Sequence, residues 1–257
     1  MSRASCKTIA GNPQTADHHE AMTAKLSIII PTYNEQNTIA SLISYVQSVK
    51  YPVEHEIIIV DDASIDRTYE KSTIIRLKNR AQTKNIRLFK NRVNKGKGFS
   101  IRRGIKHASG GIIIVQDADR EYDPHDIPKL LEPIMKGEAD VVYGSRFLGA
   151  VRPKGMAFAN WIANRFLTGL TNILYGVKLT DMETCYKVFK ADILKSLKLQ
   201  ADRFAFEPEV TALLAKRKVR IKELSIGYRG RSAAEGKKIK AKDFFFAVLT
   251  LLRHLWG

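Results

Sequence analysis

Cysteine is almost missing from this chain. Only Cys6 and Cys185 occur in 257 residues, no Cys-x-x-Cys pair is present, and the six histidines form no ligand-spaced cluster. These absences exclude a structural zinc site and a disulfide framework, and a reducing cytoplasm fits them. Long apolar runs are missing too: the tail from Phe244 to Leu252 falls short of the about 17 to 25 residues that cross a bilayer. Residues 1–24 are polar and mixed, without the apolar stretch of a signal peptide. They read as a disordered extension ahead of one folded domain over 25–242. Acidic residues are the scarce charge, 26 Asp and Glu against 43 Lys and Arg, for a formal +17. That excess predicts attraction to polyanions without saying which. It is concentrated late, where eleven basic residues from Lys216 to Lys242 stand against only Glu223 and Glu235.

Short apolar runs alternate with helix-period segments, the pattern of β-α-β units around a largely parallel sheet. Strands are expected at Leu26 to Ile30, Glu56 to Val60, Ile86 to Phe89, Ile112 to Gln116 and Asp140 to Tyr143. Ile39, Leu42, Ile43 and Val46 mark one helix face, and Ile127, Leu130, Leu131 and Ile134 another behind an Asp123-Pro124 start. Ser64 reads as the N-cap of a helix through Leu77, and Gly110 and Gly111 as the close of a helix opening near Lys97. Phe158 to Tyr175 forms a long apolar helix, and the alternation of Val219 to Tyr228 suits an edge strand. Residues 243–257 form an amphipathic helix flanked by Lys240, Lys242 and Arg253, suited to an anionic membrane surface or to packing on the core.

Asp117-Ala118-Asp119 directly follows the apolar run Gly111 to Gln116. Two carboxylates two residues apart on extended chain project to one side, at the strand end where open parallel sheets bind ligands. Such a pair suits Mg²⁺ or Mn²⁺, with phosphate oxygens completing the shell. A bare Asp-x-Asp is common by chance. Here the first strand also runs into Pro31-Thr32-Tyr33-Asn34-Glu35 and the second into Asp61-Asp62-Ala63-Ser64-Ile65-Asp66. Acids gathered at one rim repel unless a cation or donors accept them, so a nucleotide-plus-metal site is the reading. A basic nucleic-acid-binding protein is the rival from charge alone, but an acidic rim opposes a phosphate backbone and no reader motif is present.

Five segments together resemble the family-2 glycosyltransferases, in particular those similar to dolichyl-phosphate mannosyltransferase and its bacterial polyprenyl-phosphate relatives. They are Ile-Pro-Thr-Tyr-Asn-Glu (30 to 35), Val-Asp-Asp-Ala-Ser-Ile-Asp (60 to 66), Asn-Lys-Gly-Lys-Gly (94 to 98), Asp-Ala-Asp-Arg-Glu (117 to 121) and Gly-Ser-Arg (144 to 146). The resemblance implies a GT-A fold, the Rossmann-like α/β architecture of nucleotide-diphospho-sugar transferases. It also implies an inverting transfer from a GDP- or UDP-linked sugar to a polyprenyl phosphate, on the cytoplasmic face of a membrane. The alternative within the family is a glycan or other hydroxyl acceptor.

By the same resemblance, Pro31, Tyr33 and Glu35 line the base and ribose pocket and Asp62 holds base or ribose, with Asp61, Lys97 and Ala118 along its edge. Asp117, Asp119 and Glu121 would ligate the metal. Arg231 and Lys237 match an Arg-x-x-Gly-x-Ser-Lys element by spacing, with Ser232-Ala233-Ala234-Glu235-Gly236 departing from it. Arg146 and Arg165 stand where the family's acceptor-phosphate arginines stand, and Arg suits bidentate phosphate contacts. Thr180-Asp181-Met182-Glu183-Thr184-Cys185-Tyr186-Lys187 departs from the family's Asp-x-x-Ser-Gly pattern, which leaves Asp181 or Glu183 open as the base for a hydroxyl. The acidic Phe206-Glu207-Pro208-Glu209 reads as ordinary helix capping.

Overall fold

The computed structural model describes residues 25–78, 84–149, 152–231 and 241–256. In chain order they form β1 (Leu26–Thr32), α1 (Ile39–Ser48), β2 (His55–Asp61), α2 (Thr68–Lys78), β3 (Ile86–Lys90), α3 (Lys97–His107) and β4 (Ile112–Val115). A single 3-10 turn (Pro124–Asp126), α4 (Ile127–Met135), β5 (Val141–Ser145), α5 (Phe158–Tyr175) and β6 (Lys187–Lys190) follow. The chain continues through α6 (Ala191–Ser196), α7 (Phe206–Lys216), β7 (Ile221–Ser225) and α8 (Ala241–Trp256). The expected extension at 1–24 lies outside the described residues.

The strands make one seven-stranded sheet in the order β3-β2-β1-β4-β6-β5-β7. All seven residues of β1 and all four of β4 are buried. A central strand covered on both faces has no side to leave polar, which is why these segments read as continuous apolar runs. The helix stripes fall as the 3.6-residue period dictates. α1 buries Ile39, Leu42, Ile43 and Val46, and α4 buries Ile127, Leu130, Leu131 and Ile134. Strand β7 lies at the sheet edge, as its alternation implies.

Four local readings are corrected. α2 opens at Thr68, whose N–H donates to Asp66 Oδ1 at 2.9 Å, while Ser64 Oγ accepts from the Asn34 N–H and ties two rim loops together. α3 ends at His107. Gly110 is needed instead for close approach, since a Cβ there would sit 2.4 Å from the Lys25 carbonyl oxygen. Pro31, expected just past the first strand, lies inside β1, opposite Val60. Finally, β6 is a strand that no apolar run marks. It is four residues long with a lysine at each end, and it runs antiparallel between β4 and β5.

The glycine motif at 94 to 98 has a packing cause. A Cβ on Gly98 would lie 2.3 Å from the Ala201 carbonyl oxygen, and the Gly98 and Phe99 N–H groups donate to Arg203 O and Asp202 O. The first turn of α3 is therefore capped by its own chain, not presented to a phosphate. We predict that Gly98→Ala, in which neither backbone can yield, destabilises the protein by about 1–3 kcal/mol in chemical denaturation. An unchanged midpoint would show that the approach is looser than described.

Candidate active site at the carboxyl rim of the sheet

Topology assembles the site. β1, β2, β4, β5 and β7 run the same way, so their carboxyl ends share one rim. The reversed β6 brings its amino-terminal approach, residues 181–186, to that rim as well. Three of the four described non-glycine residues with positive φ stand in the loops after β1, β2 and β4: Asn34 (49°), Ala63 (59°) and Arg120 (62°). Backbone in this sparsely populated region concentrates at functional loops.

At the end of β4, Ala118 is buried and the Asp pair flanks it. Lys97 Nζ lies 2.9 Å from Asp117 Oδ1 and 2.8 Å from Glu207 Oε1. The Arg231 guanidinium reaches Asp119 at 2.9 Å, Glu121 at 3.5 Å and Glu35 at 3.6 Å. Glu121 also accepts from the Tyr228 hydroxyl at 2.6 Å and the Arg231 N–H at 3.1 Å. Five carboxylates (Glu35, Asp117, Asp119, Glu121, Glu207) thus face two cations. The imbalance is felt most at Asp119: burial, then Asp117 and Glu121, raise it to about 7 against the pull of Arg231. Burial alone would lower the Lys97 ammonium, but Asp117 and Glu207 outweigh it and hold it well above its ordinary value. Among the described residues no group of three metal-ligating side chains is already converged. The donor chemistry still fits a hard divalent ion, because the oxygens are there and, among the described residues, carboxylates outnumber cations.

Tyr33 is half-buried beside this cluster, and buried Glu35 accepts from Thr38 Oγ1 at 2.7 Å. Thr68 Oγ1 receives the Glu35 N–H at 2.7 Å. Asp62, expected on base or ribose, is buried, and it accepts from Asn91 Nδ2 and the Gly96 N–H, both at 2.6 Å, and from the Lys95 N–H. A nucleotide contact there would compete with the β3–α3 turn. Asp61 accepts from the Ser64 N–H, while its Oδ1 is buried without a protein donor, as is the neighbouring Thr32 hydroxyl. Lys97 is placed on the carboxylates, and Lys237 lies outside the described residues.

A second cluster adjoins the first. Asp181, wholly buried, accepts from Arg146 through Nε and Nη2, both at 2.7 Å, and through its N–H at 3.0 Å; Asn164 Oδ1 takes a further bond at 2.9 Å. A carboxylate gripped this way orients Arg146, and both of its oxygens are already engaged, so the base reading for Asp181 is not favoured. The guanidinia of Arg146 and Arg165 stand over the same Phe147 ring, 5.7 and 5.6 Å from its centroid. Lys187, completely buried, donates to the carbonyls of Met182 and Thr184 and lies over the Tyr143 ring. Burial lowers its ammonium and raises the Cys185 thiol. Glu183 keeps one buried oxygen without a hydrogen-bond partner, and burial, then Glu207, raise its carboxyl to about 7.

The site roles of two of these residues are not legible in the sequence. Glu207 pairs with Lys97 in addition to opening α7, and its capping position hid that role. Tyr228 carried no motif. Both reach the site only through packing.

The profile of glycosyl transferase family 2 matches residues 27–198. The chain belongs to this family. It is 33% identical over 90% of its length to a dolichol-phosphate mannosyltransferase of Pyrococcus furiosus, of which it spans 63%. It is 30% identical over 88% of its length to a UDP-N-acetylglucosamine–dolichyl-phosphate N-acetylglucosaminyltransferase of Methanococcus voltae, of which it spans 95%. Glucosyl-3-phosphoglycerate synthase from Mycobacterium tuberculosis, crystallised with Mn²⁺, UDP-glucose and phosphoglyceric acid, superposes with a TM-score of 0.68 at 21% identity. That match covers 91% of this chain and 80% of the synthase. The chain therefore has the GT-A fold.

Glu183 gives a pH signature. Its carboxyl rises from an ordinary value near 4.5 to about 7. Between those values the folded protein keeps a proton that the unfolded chain releases, so this contribution to stability is full below pH 4.5 and falls as pH rises to 7. The melting temperature of wild type relative to Glu183→Gln is predicted to decline across that window and then level off. A difference independent of pH would mean that the carboxyl titrates normally.

Proposed function

We propose that this transferase moves a sugar from a GDP- or UDP-linked donor to a polyprenyl phosphate, with a divalent cation and with inversion. The observation that carries the acceptor is the pair of arginines over Phe147, beside the exposed apolar side chains Phe158, Ile162 and Phe166 of α5. An anionic head on a hydrocarbon tail asks for that juxtaposition. The names of the Pyrococcus and Methanococcus relatives support it. A phosphate monoester is largely ionised near neutrality, its second pKa being about 6, so it needs positioning more than a base. Arg146, oriented by Asp181, and Arg165 would supply that positioning.

Asp117, Asp119 and Glu121 would hold Mg²⁺ or Mn²⁺. Bound there, such an ion supplies Lewis-acid stabilisation of the charge gained by the departing diphosphate. Tyr33 would stack on the base, Glu35 and Asp61 would accept its donors or the ribose hydroxyls, and Arg231 would meet the diphosphate. Attack from the face opposite the diphosphate converts an α-linked donor into a β product.

No described helix is long and apolar enough to cross a membrane. α8 buries Ala247 and Leu251 against the core, yet leaves Phe245 (65% exposed), Phe246, Leu249 (60%) and Leu252 in solvent. Phe244 packs on Phe166 of α5 at 5.7 Å between centroids, so the two exposed faces adjoin. With a net charge of +17, that face suits peripheral contact with an anionic bilayer. The packed face of α8 supports the core-packing reading, and its exposed face supports the membrane-surface reading.

Glu183 favours a second reading, transfer to a sugar or other hydroxyl with this carboxylate taking the proton. Its elevated pKa and unpartnered oxygen are what a base near neutrality requires.

Three outcomes test these readings. A panel of nucleotide sugars, assayed with and without undecaprenyl or dolichyl phosphate, should show a lipid-linked product only with Mg²⁺ or Mn²⁺. Arg165→Ala should lower that transfer about 30-fold or more, the loss of ~2 kcal/mol of charge-assisted contact, while UDP or GDP binding stays unchanged. Lipid transfer retained in Arg165→Ala would remove Arg165 from the acceptor site, whereas no lipid-linked product together with hydroxyl transfer that drops about 100-fold in Glu183→Gln would select the second reading. Separately, Phe245→Glu with Leu249→Glu should reduce sedimentation with anionic liposomes, and equal partitioning would rule out the α8 face as the contact.

A further inference from the structure

Each aspartate of the Asp117/Asp119 pair carries a cation from the protein itself. Lys97 on Asp117 is held from behind by Glu207. Arg231 on Asp119 is different, because its guanidinium draws together carboxylates from two separate loops, Glu35 after β1 and Asp119 and Glu121 after β4. Its delivery is built into the backbone. Tyr228 bridges to Tyr122, the Arg229 N–H donates to Glu121 O at 2.9 Å, the Gly230 N–H to Lys154 O at 3.2 Å, and the Arg231 N–H to Glu121 Oε1 at 3.1 Å. Gly155 and Gly230 pass so closely that a Cβ on Gly230 would sit 2.6 Å from Gly155 O. The segment that aims Arg231 is thus stitched to the same turn that carries Asp119 and Glu121.

We infer that Arg231 is a resident counter-ion that competes with the divalent cation for Asp119 and Glu121, and that the nucleotide diphosphate relieves this competition by taking the guanidinium. The inference rests on the metal reading given above. A divalent ion and a guanidinium cannot share the same oxygens without repulsion between their charges. Lys97 has nowhere better to go, being fixed between two carboxylates. Arg231 has an alternative, because a diphosphate offers a planar fork the bidentate partner it matches best. Once the guanidinium moves to phosphate, the rim regains its full carboxylate excess and accepts the ion. Metal and nucleotide then bind cooperatively, each raising the affinity of the other by the same factor. Metal alone is held weakly, so the site is charged only when its donor is present.

The test is Mn²⁺ binding, read by the loss of the free-ion electron paramagnetic resonance signal, on wild type, Arg231→Gln and Arg231→Lys, each without nucleotide and with UDP or GDP. Without nucleotide, Arg231→Gln should bind Mn²⁺ about ten-fold or more tightly than wild type. Arg231→Lys, which keeps the charge, should stay closer to wild type, and the nucleotide should raise Mn²⁺ affinity less in the Gln variant. Equal or weaker nucleotide-free affinity in a Gln variant whose circular dichroism and melting are those of a folded protein overturns the inference, while Mn²⁺ binding with nucleotide in wild type leaves the metal reading standing. If Arg231→Gln does not fold, Arg231→Met replaces it under the same criterion. No Mn²⁺ binding by any of the proteins with either nucleotide overturns both.

Discussion

Among the described residues, five carboxylates against two cations is the constraint on which the rest of this molecule turns. Burial makes each like-charge contact at the rim costly, and the fold answers with Lys97 between Asp117 and Glu207 and with Arg231 across Glu35, Asp119 and Glu121. Neither cation is incidental. Lys97 opens α3, whose first turn is clamped on residues 201–203, and Arg231 ends a segment bonded to the loop after β4. Among the described residues the balance remains short of positive charge, which supports the proposed place for a divalent ion.

The reversed strand is the second organising feature. A chain of parallel β-α-β units would carry residues 181–186 to the far side of the sheet. With β6 antiparallel between β4 and β5, the same residues arrive beside the Asp pair. Asp181 then meets Arg146 from the end of β5, and Lys187 stitches the approach by two backbone carbonyls. Two clusters result, one acidic around Asp117 and Asp119 and one built on arginine toward α5. Glu183 and Glu207 lie where they meet.

Parts of this were legible residue by residue. The apolar runs Ile28 to Ile30 in β1, Ile57 to Val60 in β2 and Ile112 to Val115 in β4 announced a covered parallel sheet, because a strand buried on both faces has no polar side. Pro31 to Glu35, Asp61 and Asp62, and Asp117 to Glu121 announced a ligand rim, because they follow those strands directly. The stripes of α1 and α4 followed from a 3.6-residue period. Other parts were not legible. β6 is too short and too polar at its ends to show a period, Ser64 resembled a cap but serves as a tie to Asn34, and Glu207 was hidden by the ordinary preference for acids in a first helical turn.

What the sequence by itself determined was the inventory and its order: which segments are strands buried on both faces, which acids stand at their ends, and the family whose motifs they compose. Tertiary structure alone decided which charges meet. Arg231 lies 112 residues from Asp119 and Glu207 lies 110 from Lys97, and local patterning cannot encode a pairing between segments so far apart. Such pairs are chosen by the sheet order and by the need to satisfy every buried charge, and both exist only once the chain has closed on itself.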